Sequence, residues 1–217
     1  MLSGLHPQTG NDPCLSDHMG VRLMGPINTY SPTAAARAYV QLGWSVTVGH
    51  RLRPRAGCTC GNTNCPALGA HPLVPPGPRL VEDSIEEALQ EAPGGSLIAA
   101  TIPFDAVLVP YPIAMAVMLR LDRISPVPCL VTHGATAALL VLPVTGRYAA
   151  VHPNVEVRTG PDGWIALPPS NGARWDTPPW VESTHIPHEL LNGQDVGRHL
   201  REVFKMSTGA NTKGALQ

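Results

Sequence analysis

The sequence predicts an α+β domain with a mixed or antiparallel sheet and packed helices, and three observations indicate this fold class. Short apolar runs with the alternation of β-strands are interleaved with segments whose apolar residues recur at the helical period of about 3.6 residues. The 24 prolines and 21 glycines require many turns between short elements. A loop with three cysteines and one histidine forms an insertion that we expect on one edge of the sheet.

We expect one domain, over residues 31–205, between a disordered leader and a disordered tail. A chain of 217 residues has one domain as its default organisation. Residues 1–30 contain Gly, Pro, Asn and Asp without sustained periodicity, which is typical of an irregular leader. Residues 206–217 contain Gly, Thr, Asn and Lys and provide little apolar surface to bury.

The first helix is predicted to begin at Ser31-Pro32-Thr33, where a hydroxyl can cap the helix and a proline fits the first turn. Its apolar face contains, at helical spacing, Ala35, Ala38, Tyr39 and Leu42. Gly43 is predicted to end the helix. The residues directly after it alternate as a strand through Trp44, Val46 and Val48.

A second helix is predicted over Ser84–Glu91, because Ser84 and Glu87 form a capping-box pair and a Pro-Gly-Gly sequence follows. The capping pair and the Pro-Gly-Gly sequence therefore set the predicted ends of this helix. Two buried strands are predicted after this helix, over Ser96–Ile102 and Phe104–Val109.

A third helix is indicated by apolar residues at helical spacing, which are Ala114, Val117, Met118 and Leu121. Strands are predicted next over Val127–Val131 and Thr136–Leu142, and a glycine-containing turn around His133 joins them. These elements continue the alternation of helices and strands that the fold class requires.

The last elements are predicted to be a hairpin and a helix. Val155–Val157 and Trp164–Leu167 are expected to pair, with Gly160-Pro161-Asp162-Gly163 as the turn between them. The final helix is predicted from Gln194 to Lys205. It is expected to bury three apolar residues, Val196, Leu200 and Val203.

The composition predicts a cytoplasmic protein without membrane contact. No run of 18 apolar residues occurs, and the N-terminus has no charged-then-apolar signal pattern. Five cysteines, three of them in one loop, fit a reducing cytoplasm better than a disulfide framework. A formal net charge of −1 gives no global basic field, so strong nonspecific binding to nucleic acid is not implied.

The cysteine-rich loop has the spacing C-x-C-x4-C-x5-H, and its four candidate ligands are Cys58, Cys60, Cys65 and His71. Three thiols and one imidazole match what a tetrahedral Zn²⁺ ion requires. Glycine and asparagine between them permit the tight turns that bring ligands to about 2.0–2.3 Å from one ion. Because four protein ligands leave no open position, the sequence predicts a structural zinc.

The sequence leaves alternatives open for this loop and for the basic residues before it. The cysteines can instead be reduced thiols, or one disulfide with one cysteine left over. Cys58 and Cys60 are too close in sequence for easy pairing with each other. The preceding arginines, Arg51, Arg53 and Arg55, form either a solvated loop or contacts to phosphate groups.

Three stretches of the chain together resemble one protein family. They are Ala38-Tyr39-Val40-Gln41-Leu42-Gly43-Trp44-Ser45-Val46, the C-x-C-x4-C loop closed by Gly69-Ala70-His71-Pro72, and Gly163-Trp164-Ile165-Ala166-Leu167-Pro168-Pro169-Ser170. In this order and spacing they resemble the N-terminal domain of bacterial, plasmid and phage bifunctional DNA primase/polymerases. This is the prim-pol branch of the archaeo-eukaryotic primase superfamily, and the resemblance covers about residues 33–180.

The resemblance implies an RRM-like catalytic fold with a zinc-bearing insertion, and nucleotidyl transfer on a nucleic-acid template during DNA replication. In the family, one strand has an acidic-x-acidic pair, a second segment has a histidine, and a later strand has another acid. Such chemistry needs carboxylates that hold two Mg²⁺ or Mn²⁺ ions about 3.5–4 Å apart.

This chain keeps only part of that acidic set. On the first strand only Asp105 is acidic, and the positions that should complete the pair are apolar, namely Val107, Leu108 and Val109. His133 lies several residues before the family position of the histidine, whereas Glu156 matches the later acid. The candidate metal ligands for catalysis are therefore Asp105 and Glu156. Without a metal, Asp105 is a turn or strand-edge acid after Pro103, and Glu156 is an outward-facing strand residue paired with Arg158.

Three functions remain open from the sequence. The incomplete acidic set favours a catalytically degenerate prim-pol-like domain that binds nucleic acid or a protein partner, with cationic contacts from Arg51, Arg53, Arg55 and Arg158. The second is an active primase/polymerase that uses Asp105 and Glu156 with Mg²⁺ or Mn²⁺. The third is a regulatory adaptor without nucleic-acid contact. No G-x4-G-K-[ST] motif occurs, which argues against a complete replication protein.

Overall fold

The computed structural model describes residues 28–74, 76–132 and 135–213, and these residues have an α+β architecture. Four α-helices pack against a six-stranded sheet, and two further short strands form a separate ribbon. Every strand pair in these ranges is antiparallel. The predicted α+β class is therefore confirmed, and the described sheet is antiparallel rather than mixed.

The helices, in chain order, are α1 Pro32–Gln41, α2 Ile85–Glu91, α3 Tyr111–Leu121 and α4 Gly193–Lys213. Short 3-10 helices span Glu82–Ser84 and Gly146–Ala149. The strands are β1 Val46–Val48, β2 Leu52–Arg53, β3 Gly57–Cys58, β4 Leu97–Pro110, β5 Cys129–Thr132, β6 Thr136–Val141, β7 Glu156–Leu167 and β8 Arg174–Thr177. The strand order of the sheet is β1-β4-β6-β5-β8, and β7 pairs with β4 from its other side.

The limits of α1 follow from its capping residues, as the sequence predicts. Ser31 is the N-cap, and its Oγ accepts a hydrogen bond from the backbone N–H of Ala34 at 3.4 Å. Gly43 follows the helix with a φ of +78°, a left-handed conformation that glycine adopts without strain. Ala35 and Tyr39 are fully buried, so the predicted apolar face of α1 is the face that packs against the rest of the domain.

The long strand β4 is the centre of the sheet. β1 pairs with its first residues, β6 pairs with its last residues, and β7 lies along its other side. The sequence predicts two strands on either side of Pro103, whereas the structure joins them into one. The β4–β7 register shifts between Ala100 and Ala106, and such an irregularity tolerates a proline, which cannot donate to the ladder.

The predicted hairpin over residues 155–167 is instead the single strand β7. Both of its halves pair with β4, so the chain continues in one direction rather than reversing. Gly160 has a φ of +71° and lies opposite Thr101, where the register is irregular. At Gly163 a Cβ would lie 2.2 Å from Thr101 Oγ1, so the close contact with β4 requires glycine.

Two apolar clusters hold the helices on the sheet. The cluster beneath α1 and α2 includes Ala35, Tyr39, Trp44, Ile85, Phe104 and Leu108. The cluster beneath α3 and α4 includes Val107, Val109, Val117, Leu121, Val196 and Leu200. The alternation of β4 residues between the two clusters shows that this end of the strand is covered on both faces.

Some elements differ from the sequence-based prediction. β8 and the β2–β3 ribbon have four and two residues per strand, too few for a periodic signal. α4 continues past the predicted end at Lys205 to Lys213, so the first part of the predicted disordered tail is helical. A formed helix extends at one hydrogen bond per added residue, so a polar segment can prolong it.

Other predictions fall on residues that the structure does not describe. The predicted leader lies outside the described residues except for residues 28–30, and so does His133. Residues 214–217 of the predicted tail also lie outside them. In the described ranges, no helix combines the length and the apolar character that crossing a membrane requires.

Tyr39 joins α1 to the C-terminal half of the domain through its hydroxyl group. Its Oη donates to the carbonyl oxygen of Pro168 at 3.1 Å and accepts from Trp175 Nε1 at 2.9 Å. Burial raises the pKa of the Tyr39 phenol, although the hydrogen bond from Trp175 lowers it. The hydroxyl therefore stays neutral and satisfies two buried polar groups at once.

We expect Tyr39→Phe to lower the free energy of unfolding by about 1–3 kcal/mol, because it leaves the Pro168 carbonyl and the Trp175 N–H without their partner. Urea unfolding followed by tryptophan fluorescence measures the change. Tyr30→Phe is the matched control, since Tyr30 is 91% exposed and should not affect the midpoint. Equal midpoints for both variants would contradict the role of the Tyr39 hydroxyl.

Candidate metal centre and the adjoining groove

The four predicted metal ligands converge in the structure. The three sulfur atoms of Cys58, Cys60 and Cys65 and a ring nitrogen of His71 all lie within 4.8 Å of one another. Cys58 Sγ is 3.3 Å from His71 Nε2. Ligands at about 2.0–2.3 Å from one Zn²⁺ ion span a similar distance, so these four residues can hold a metal ion.

The β2–β3 ribbon and two left-handed glycines bring the ligands together. Cys58 ends β3 and lies opposite Leu52 of β2. Gly61, with a φ of +78°, turns the chain directly after Cys60. Gly69 has a φ of +65°, and a Cβ there would lie 2.1 Å from the backbone nitrogen of Leu52. Only glycine therefore lets the second half of the loop close against β2.

Backbone donors favour the thiolate form of one cysteine. Burial would raise the pKa of Cys58, but hydrogen bonds from the backbone N–H groups of Cys60 and Gly69 lower it. The side chains of Cys60 and His71 add to this effect, and the pKa of Cys58 falls to about 6. The pKa of Cys65 is raised, mainly by burial. The thiol of Cys58 is therefore the one that ionises most readily. Full deprotonation of all three loop thiols requires a bound metal ion.

The contacts of His71 also fit a metal ligand. Its Nδ1 lies 3.1 Å from the carbonyl oxygen of Pro72 and can donate to it when Nε2, which faces Cys58 Sγ, binds a metal ion. No disulfide forms among the four cysteines in the described ranges. Cys129, outside the loop, is buried in the apolar interior, where burial raises its pKa to about 12. The metal interpretation of the loop thiols is the one that the geometry supports.

A small apolar cluster seats the metal loop on the sheet. Its members are Ala70 of the loop, Ile98 of β4 and Ala166 of β7, with Trp164 packed against them. Asn171 Nδ2 donates to the carbonyl oxygen of Leu68 at 2.9 Å, which ties the loop to the segment after β7. Side chains from three parts of the chain therefore fix the position of the loop.

A groove of about 170 Å³ lies between the metal loop and the sheet. Its walls include Pro66, Ala67 and Ala70 of the loop and, on the sheet, Leu108, Thr132, Thr136, Glu156, Arg158 and Trp164. This volume is below the roughly 300–1,000 Å³ typical of small-molecule pockets. A ligand of nucleotide size would therefore lie along the groove rather than be enclosed by it.

Glu156 and Arg158 enter the groove from β7 as an ion pair, as one sequence interpretation expects. Arg158 Nε donates to Glu156 Oε1 at 2.7 Å, and Arg158 Nη1 donates to the carbonyl oxygen of Trp164 at 3.0 Å. The guanidinium lies over the Trp164 ring, 4.6 Å from its centroid. The cation therefore has an acidic, a carbonyl and an aromatic partner.

Asp105 lies on the opposite face of the sheet from Glu156. Leu108 and Glu156 are direct neighbours across β4 and β7, so their side chains share a face. Asp105 is three positions from Leu108 in an uninterrupted part of the β4–β6 register, so its side chain projects from the other face. The structure thus does not bring the two candidate catalytic carboxylates together.

The contacts of Asp105 are structural. The residue is 1% exposed, so it is not the strand-edge acid that one sequence interpretation expects. Its Oδ2 accepts the backbone N–H of Gly146 at 2.7 Å, and Oδ1 has no hydrogen-bond partner among the described residues. A Cβ at Gly146 would lie 2.8 Å from Asp105 Cβ, so glycine permits this approach. Asp105 therefore fastens the 3-10 helix Gly146–Ala149 to β4.

The four candidate cationic residues lie in two places. Arg53 and Arg55 are exposed on the β2–β3 ribbon and its turn, and Arg51 donates to the carbonyl oxygen of Pro93. None of these three is among the described residues that line the groove, whereas Arg158 is. A phosphate that contacts the ribbon would therefore lie beside the metal loop rather than within the groove.

Two residues of the site have no signal of their own in the sequence. Trp164 enters the sequence argument as the start of a predicted strand and as part of a longer motif, and His50 does not enter it. The His50 ring centroid is 4.4 Å from that of His71, and burial, followed by the charge of His71, lowers the pKa of His50. A single histidine in an apolar strand-loop segment is usually a packed residue, so only the tertiary contact reveals it.

Comparisons of the chain with protein-family models, with curated proteins and with solved structures find no match. The function of this site therefore has to be inferred from its residues and their geometry.

We expect protein purified without chelator to contain one Zn²⁺ per chain, and Cys60→Ser to lower that content, because it removes one of four convergent ligands. Elemental analysis measures the metal. The domain should still unfold cooperatively, since Cys60 belongs to neither large apolar cluster. Cys129→Ala is the matched control, because its thiol lies outside the loop and its loss should leave the zinc in place. A wild-type protein without stoichiometric zinc would disprove the metal centre.

We expect Asp105→Ala to lower the free energy of unfolding by about 1–3 kcal/mol, because the buried N–H of Gly146 loses its acceptor. Glu156→Ala should have a much smaller effect, since its side chain is 60% exposed and belongs to a surface ion pair. Urea unfolding compares the two. Thermal unfolding with added Mn²⁺ tests the competing hypothesis: a stabilisation of the wild type that both variants lose would indicate a shared metal site.

Proposed function

We propose that this chain is a prim-pol-like domain that has lost polymerase chemistry and binds nucleic acid along the groove beside a structural zinc centre. The observation that carries the proposal is the division of functional side chains between the two sheet faces. Arg158, Trp164 and the metal loop line one groove, while Asp105 is buried on the other face. The groove offers groups that can bind a nucleic acid, and the described residues that line it include no second acid for a metal pair.

Cys58, Cys60, Cys65 and His71 are the residues that would hold the zinc. With four protein ligands the ion supplies a fixed cross-link between the two halves of the loop and no Lewis-acid chemistry, because no coordination position stays open. The loop contributes Pro66, Ala67 and Ala70 to one wall of the groove. The proposed role of the zinc is therefore to give that wall a fixed shape.

The described residues of the groove do not provide what nucleotidyl transfer needs. Two divalent ions about 3.5–4 Å apart require several fixed carboxylate oxygens in one cleft. Among the described residues that line the groove, Glu156 is the single acid, and Arg158 already neutralises it. Leu108 places an apolar side chain beside it, where a hydrated ion would need polar contacts. These features support binding without catalysis.

The groove offers contacts that suit a single strand of nucleic acid. Trp164 is half-buried, and its indole ring is held by the Arg158 guanidinium. A base stacked on an aromatic ring contributes about 1–3 kcal/mol, whatever its identity. Thr132 and Thr136 add hydroxyl groups that can bind phosphate or sugar. Arg53 and Arg55 on the nearby ribbon are exposed and can meet the backbone beyond the groove.

We expect weak binding of single-stranded oligonucleotides, with a log–log salt slope on the order of −2 to −3 if three or four arginines contact phosphates. Trp164→Ala should weaken binding about 5- to 100-fold, because it removes a stacking surface. Fluorescence anisotropy with labelled DNA and RNA strands measures both. Tyr30→Ala is the matched control, since Tyr30 is an exposed aromatic that does not line the groove.

Primer extension and de novo priming with Mg²⁺ and Mn²⁺ complete the test, and we expect no synthesis. Synthesis by the wild type that an Asp105→Ala, Glu156→Ala double variant lacks would overturn the non-catalytic proposal. Absence of binding at low salt for single- and double-stranded DNA and RNA would instead support a protein-binding adaptor.

A further inference from the structure

His50 contacts both halves of the metal loop without belonging to the ligand set. It lies between β1 and β2, before the first cysteine of the metal loop, and is partly exposed. One half of the loop contains Cys58 and Cys60, and the other contains His71. A residue that touches both halves can set their distance from each other.

The contact with the second half involves ring and backbone. The His50 and His71 rings lie 4.4 Å apart between centroids, with an angle of 38° between their planes. The backbone N–H of His50 donates to the carbonyl oxygen of His71 at 2.9 Å. At Gly49 a Cβ would lie 2.5 Å from that same oxygen, so the two segments are in close backbone contact. His50 therefore contacts His71 twice, through its ring and through its backbone N–H.

The contact with the first half passes through Thr59, which stands between the ligands Cys58 and Cys60. Thr59 Oγ1 is hydrogen-bonded to His50 Nδ1 at 2.9 Å and accepts the backbone N–H of Arg51 at 3.1 Å. The backbone N–H of Thr59 in turn donates to the carbonyl oxygen of Arg51 at 3.0 Å. This half of the loop is therefore attached to the same two residues, His50 and Arg51.

We propose that His50 is a positioning residue of the metal centre, which holds the His71 ring and the Cys58–Cys60 segment in the geometry that one metal ion requires. It acts through Thr59 and His71 and is not itself a ligand. The inference rests on the proposed metal occupancy of the four ligands, and it is independent of nucleic-acid binding. Groups that orient metal ligands typically account for 10- to 100-fold of metal affinity, although they never touch the ion.

The experiment measures Zn²⁺ affinity of the full chain by competition with a chromophoric chelator. His50→Ala removes both contacts of the ring and should weaken Zn²⁺ binding about 10- to 100-fold. His50→Phe keeps an aromatic ring beside His71 but cannot bond to Thr59, so its affinity should lie between those of His50→Ala and the wild type. His188→Ala is the matched control, a partly exposed histidine outside the metal loop, and should bind like the wild type.

Co²⁺ substitution separates positioning from ligation. The absorption spectrum of Co²⁺ at saturation depends on the number of sulfur and nitrogen ligands, so His50→Ala should give the wild-type spectrum at a higher Co²⁺ concentration. Urea unfolding in excess chelator should give the same midpoint for the wild type and His50→Ala, because the loss is confined to metal binding.

Two results would overturn the inference. Zn²⁺ affinity of His50→Ala within twofold of the wild type would show that the contacts do not position the ligands. A changed Co²⁺ spectrum at saturation would make His50 a ligand instead. A wild-type protein that binds neither Zn²⁺ nor Co²⁺ would disprove the metal centre itself. The measurement therefore separates an absent metal centre from a metal centre that His50 does not position.

Discussion

The convergence of four ligand atoms is the constraint on which the geometry of the groove depends. In the described apolar clusters, Ala70 is the single member from the cysteine-rich loop. Burial of one alanine side chain contributes little free energy, so the loop cannot be held by apolar packing alone. A metal ion, which the four convergent residues could hold, would supply the stabilisation that burial does not, and the same loop forms one wall of the groove.

The pleat of the sheet provides the second constraint, because it separates the two acids that a polymerase-type site would need to combine. The buried carboxylate of Asp105 accepts a hydrogen bond from the backbone N–H of Gly146. The carboxylate of Glu156 lies at the groove and accepts one from Arg158. Each carboxylate therefore has a local structural partner. Fold stability and metal chemistry depend on different side chains, which is consistent with the non-catalytic function proposed above.

The ion pair in the groove determines which interaction dominates the proposed binding of nucleic acid. The guanidinium of Arg158 is shared between a carboxylate, a carbonyl oxygen and the Trp164 ring. Its field at the groove is therefore reduced, and stacking on the indole contributes more to the proposed affinity than charge does. Arg53 and Arg55, which are exposed, add to the salt-dependent part of the proposed affinity.

Sequence patterns alone were enough to predict the local features: the capped helix α1, the α+β class and the four residues that could hold a metal ion. Ligand spacing and helix caps involve residues close in the chain, so the pattern contains their geometry. Three features became visible only in the folded chain: β4 and β7 are each continuous, Asp105 and Glu156 lie on opposite faces of the sheet, and the His50 ring contacts the His71 ring. These features depend on strand register and on contacts between distant segments, and a one-residue change of register reverses which side chains share a face.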